Sequence, residues 1–98
     1  MNQTEVLKNK MLRGQTLRTL TLFYPAPVTV AGIKSALLTR GMIVSADIVK
    51  VLHYLKDKGY IQMIDNKISE IEDSDLIQLT AKGVDLIEET ITDPGVEI

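Results

Sequence analysis

The chain has 98 residues, 45% of them hydrophobic, with no cysteine, a single histidine and a net charge of −2. That length allows one domain with one modest core. The composition excludes disulfides, thiolate metal sites and any cluster of histidine ligands, and no glycine-rich phosphate loop is present, so neither a cofactor nor catalysis is expected.

The charge is unevenly distributed. Residues 1–58 carry nine basic side chains against three acidic ones, a balance of +6, whereas residues 59–98 carry two against ten, a balance of −8. A domain polarised in this way presents a positive and a negative region if the halves lie on different faces. No apolar run approaches the length that spans a bilayer, and Met1 to Lys10 is mixed polar and charged, unlike a signal peptide. With no cysteine, a cytoplasmic setting is the expectation.

The first predicted helix runs from Thr4, as N-cap, to about Tyr24, with Val6, Leu7, Met11, Leu17, Leu20 and Tyr24 recurring at three- and four-residue steps. Pro25 and Pro27 stop it. Leu12, Leu22 and Phe23 fall outside this stripe, a surplus of apolar surface that is either core or a dimer seam. Thr29 suits the N-cap of a second helix through about Leu38, with Val30, Ile33, Leu37 and Leu38 facing inward and Arg40-Gly41 at its end. Ser45 caps a third helix to about Lys58, closed by Gly59, and Asp47 in its first turn suits the helix dipole. Ile48, Val51, Leu52 and Leu55 form its apolar stripe, opposite Ala46, Lys50, His53 and Asp57, with Val49 and Tyr54 on the flanks.

The period then changes. Tyr60–Ile64 reads as a strand, Asp65-Asn66-Lys67 as a turn and Leu76–Leu79 as a second strand, joined by an acidic segment read as a solvated loop. Its carboxylates lack the spacing of a calcium loop. Thr80 caps a last helix with Val84, Ile87 and Ile91 in series. Asp93 to Ile98 reads as a tail, so the expected organisation is a domain over 1–92 and a C-terminal tail over 93–98.

The order helix, helix, helix, hairpin, helix is that of a winged helix, an α+β fold with a helix-turn-helix core, a β-hairpin wing and a C-terminal helix. The stretch Ser45-Ala46-Asp47-Ile48-Val49-Lys50-Val51-Leu52-His53-Tyr54-Leu55-Lys56-Asp57-Lys58-Gly59-Tyr60-Ile61 resembles the recognition helix and first wing strand of MarR-like bacterial repressors. Leu79-Thr80-Ala81-Lys82-Gly83-Val84-Asp85-Leu86-Ile87 is similar to their second wing strand and closing helix. Nearly the whole chain, including Thr90-Ile91-Thr92-Asp93-Pro94-Gly95, resembles the small winged-helix proteins of Mu-like phages and prophages.

The winged-helix order and the basic N-terminal half, read with that resemblance, imply a phage- or prophage-type transcriptional regulator that binds double-stranded DNA. The surplus apolar surface of the first helix suggests a homodimer through the first and last helices. A helix in the major groove presents side chains to base edges, and the hairpin beside it reaches the backbone. Carried over by position, the DNA-facing residues are Ser45, Ala46, Val49, Lys50, His53 and Tyr54, joined by Arg40 at the end of the second helix and by Asn66 and Lys67 at the wing turn. Ser45 suits a phosphate or simply caps its helix. Lys50 reaches a phosphate or a guanine edge, or is solvated. His53 is either a DNA contact or plain surface.

Two features depart from the pattern. The third helix carries no arginine, the commonest reader of guanine. Glu70, Glu72, Asp73 and Asp75 crowd the wing, where carboxylates oppose phosphate contact. The competing expectation is an adaptor whose acidic wing engages a basic protein partner.

Overall fold

The computed structural model describes residues 2–42, 47–65 and 70–98. Among them are four helices and one antiparallel sheet: α1 (Gln3–Thr21), β1 (Val28–Thr29), α2 (Val30–Thr39), α3 (Asp47–Asp57), β2 (Ile61–Met63), β3 (Leu76–Leu79) and α4 (Ala81–Ile87). The architecture is α+β, with the sheet in the order β1-β3-β2.

α1 differs most from expectation. Asn2, not Thr4, caps it: the extended Asn2 backbone lets its side-chain oxygen accept from the Glu5 N–H at 2.8 Å, satisfying one of the free donors of the first turn. The helix ends at Thr21, ahead of the two prolines. Val6, Leu7 and Met11, expected to face inward, are exposed, and so is Tyr24. Leu12, expected outside the stripe, is buried with Leu17 and Leu20. The reason is position. From Leu12 onward α1 packs against α2, α3, α4 and β3, so it is covered on more than one side and no single stripe describes it. Thr16 and Thr19, both fully buried, turn their hydroxyls back onto the carbonyls of Leu12 and Gln15 at 2.8 and 2.9 Å, so neither is left without a partner.

α2 and α3 follow the sequence closely. The Thr29 hydroxyl accepts from Gly32 N–H at 3.0 Å, and Val30, Ile33 and Leu37 are buried. Leu38 is not; it lies two-thirds exposed, contrary to expectation. Ile48, Val51, Leu52 and Leu55 of α3 are all in the core. Gly41 and Gly59 follow their helices with φ of 81° and 83°, the left-handed geometry that lets the chain turn away. Ser45 lies outside the described residues, and α1 and α2 are joined through a turn with a cis Tyr24–Pro25 bond.

The sheet holds a strand that the sequence did not announce. β1 is only two residues long and pairs Val28 with Ile77 and Thr29 with Leu76, which places β3 in the centre. On its other side β2 pairs Ile61 with Leu79 and Met63 with Ile77. Alternation then turns Ile61, Ile77 and Leu79 into the core and leaves Gln62 and Gln78 on the other face. There Gln62 donates to Gln78 Oε1 at 2.7 Å, and Gln78 donates to the Pro25 carbonyl, tying the α1–β1 turn to the sheet.

The acidic segment is not simply solvated. Its backbone carbonyls at Asp75 and Asp73 accept from Val30 and Ala31 N–H, supplying partners for the first turn of α2. Asp75 is buried at 2% exposure, and its carboxylate accepts from Glu72 N–H at 2.8 Å. Asp73 forms an ion pair with Lys34 at 2.7 Å.

Residues 93–98, read from sequence as a tail, pack back onto the domain. Tyr60 Oη donates to Asp93 Oδ2 at 2.6 Å, and Lys58 Nζ lies 3.2 Å from the same oxygen. Gly95 N–H bonds the other carboxylate oxygen, Arg13 donates to the Gly95 carbonyl, and Glu97 N–H donates to the Lys10 carbonyl. Val96 is buried. A Cβ at Gly14 would collide with the Glu97 carbonyl, so this helical glycine is where the segment lies against α1. α4 is short; the Thr80 hydroxyl caps it, Leu86 is its fully buried side chain, and Val84, Ile87 and Ile91 are half-buried.

Two pH effects follow from this contact. Burial and then the hydrogen bond to Asp93 push the Tyr60 phenol up to about 12 from 10.0. Burial opposes ionisation of Asp93, but hydrogen bonds from Tyr60, Gly95 and Lys58 outweigh it and hold the carboxyl below its ordinary value of 3.8. A raised Tyr60 stabilises fully below its unfolded pKa and loses that contribution as pH rises through the folded one; a lowered Asp93 does the reverse at acid pH. Stability should therefore be level through neutral pH and fall between about pH 10 and 12. Denaturant melts across that range should lose this decline in Tyr60→Phe. Asp93→Asn should cost about 1–3 kcal/mol at neutral pH, by loss of charge-assisted hydrogen bonds to a buried group.

Candidate nucleic-acid interface

α3 is an amphipathic helix anchored by one face. Its apolar side chains sit at the three- and four-residue steps that bring them onto the core, and the opposite positions remain in solvent. Lys50, His53, Lys56 and Asp57 are exposed, and Val49 is 36% exposed beside them. Lys50, His53 and Lys56 are each three residues apart and form a row along the outside of the helix. Among the described residues none of the three has an ion pair or a side-chain hydrogen bond. Lys56 was not singled out from the sequence; its spacing from His53 was the signal that placed it there.

The other expected residues are placed differently. Tyr54 is half-buried on the inward flank: the Arg13 guanidinium stacks 3.7 Å from its ring centroid, and its hydroxyl lies against Gly95. It joins α3 to α1 and the C-terminal segment, which argues against a base contact. Arg40 is exposed but is held through one of its nitrogens. Its Nη1 donates to Thr19 Oγ1 at 2.9 Å and approaches the backbone and side-chain oxygens of Gln15, so it fastens the end of α2 to α1. Ser45, Ala46, Asn66 and Lys67 lie outside the described residues.

The charge polarity of the sequence is thus softened by the fold. Lys34 and Lys58, from the basic half, are neutralised by Asp73 and Asp93 of the acidic half. Arg13 and Arg40 are oriented by contacts within the protein. Lys82, from the acidic half, donates to the Lys58 carbonyl and lies 5.4 Å from the Tyr60 ring centroid. Lys50 and Lys56 of α3 are exposed and take part in none of these contacts. The pairing with Lys34 engages Asp73, and the hydrogen bond from Glu72 N–H engages Asp75, two of the four wing acids on which the adaptor expectation rested.

Among the described residues no group of three or more histidine, aspartate or glutamate side chains is arranged to hold a metal ion. No described helix is long and apolar enough to cross a membrane.

The two kinds of basic residue should separate in a stability measurement. Arg40→Ala should lower unfolding free energy by about 0.5–1.5 kcal/mol through its lost hydrogen bonds. Lys50→Ala should stay within about 0.5 kcal/mol of the parent, as expected for an exposed side chain without partners. Equal effects in parallel urea melts would contradict this division.

Comparison of the chain with protein-family models, with curated proteins and with solved structures found no match in any of the three.

Proposed function

We propose that this chain is a winged-helix DNA-binding protein, a transcriptional regulator of the phage or prophage type, with α3 as the helix offered to the major groove. The observation that carries this reading is the exposed row Lys50, His53 and Lys56 on a helix whose opposite face is held in the core. A rigidly seated helix with a cationic outer edge meets the two needs of duplex binding: a fixed docking angle and charge that displaces counterions from phosphate. The order of α1, α2 and α3 followed by the β2–β3 pair and α4 supports the same reading. The regulator class rests on the resemblance of the α3 and α4 segments described above.

The expected contacts are mostly to the backbone. Lys50 and Lys56 suit phosphates, and His53 between them suits a phosphate or a base edge. Without an arginine on this row, discrimination between sequences should be modest unless it comes from DNA shape.

Titration of mixed-sequence duplex DNA at low and moderate salt tests the proposal. Binding should weaken as salt rises, and Lys50→Ala and Lys56→Ala should each lower the slope of log affinity against log salt by about one. A folded protein that leaves duplex DNA unbound at low salt would refute it.

A further inference from the structure

A second surface carries its own chemistry. Leu22, Phe23 and Tyr24, the three residues that follow α1, are 71%, 51% and 44% exposed, and Leu38 near the end of α2 is 65% exposed. A groove of about 280 Å³ opens at Leu22, lined also by Arg18 and Thr21 of α1, by Arg40 and by Ile87 of α4. Its floor is apolar and both charged residues at its edge are arginines. Among the described residues neither guanidinium is paired with a carboxylate. Arg40 is held in place by the bonds from Nη1 to Thr19 and Gln15, so one of the two cations is fixed in advance.

We propose that this groove docks an acidic amphipathic segment of another protein. An apolar side chain of the segment would fill the space between Leu22 and Ile87, and its carboxylates would pair with Arg18 and Arg40. Large exposed apolar side chains rimmed by charge mark protein-interaction surfaces more often than solvent-facing ones. The planar guanidinium is suited to carboxylates, and an apolar floor disfavours a nucleic-acid backbone, which has only charged and polar groups to offer it. An amphipathic helix in a groove uses this combination of apolar anchors and flanking charge. The surface uses no residue of the α3 row, so it stands or falls separately from DNA binding.

The test uses the full chain and two labelled synthetic peptides: an amphipathic helix with leucines at three- and four-residue spacing and glutamates between them, and its counterpart with lysines in place of glutamates. The acidic peptide should bind, more weakly as salt rises, and the lysine peptide should not. Arg18→Glu and Leu22→Ser should each lower acidic-peptide affinity by on the order of tenfold. Both positions are exposed, so unchanged circular dichroism and melting should accompany the loss. Absence of binding, equal binding of both peptides, or variants that bind as well as the parent would overturn the proposal. So would a parent protein that is dimeric by light scattering and becomes monomeric in Leu22→Ser, because the face would then belong to a second copy.

Discussion

Burial of α1 from Leu12 to Leu20 is the constraint on which the remaining elements depend. Leu17 and Leu20 have no exposure, and α2, α3, α4 and β3 all pack against this one helix. A helix enclosed on several sides must satisfy every polar group it carries there, since an unpaired buried donor or acceptor costs about 1–3 kcal/mol. The inward bonds of Thr16 and Thr19 meet that condition. Where the C-terminal segment crosses α1 there is no room for a side chain, and Gly14 occupies the crossing.

The same arrangement determines how α3 can act. Ile48, Val51, Leu52 and Leu55 fix its rotation by burial, and the Arg13–Tyr54 stack fixes one flank against α1. The C-terminal segment closes around that stack, with Asp93 bonded to the residues that leave α3 and enter β2. The outer row of Lys50, His53 and Lys56 is therefore presented by a helix with little freedom to roll. Orientation of this kind limits the entropy lost when a surface meets a partner.

Charge is used in two distinct ways. Lys34–Asp73 and Lys58–Asp93 join the basic half of the chain to the acidic half and hold loops in place. The exposed pair Arg18 and Lys50 belongs to two different surfaces, one with an apolar groove and one without. An apolar floor suits an amphipathic segment, whereas an open cationic row suits a polyanion, a difference in surface chemistry that net charge alone does not show.

Local signals carried much of the architecture. The caps at Thr29 and Thr80, the stripe of α3, the span Leu76–Leu79 and the glycines after α2 and α3 were legible because each depends on residues within one or two turns. The outward positions of Lys50 and His53 follow from that same stripe. What the tertiary structure alone decided is non-local: which sides of α1 are covered, the pairing of two-residue β1 with β3, the contacts of Arg40 with Thr19 and of Tyr54 with Arg13, the burial of Asp75, and the return of residues 93–98 onto Tyr60 and Arg13. Periodicity reports whether a segment has a face; it carries no information about how many neighbours will cover it, or which distant group a charged side chain will meet.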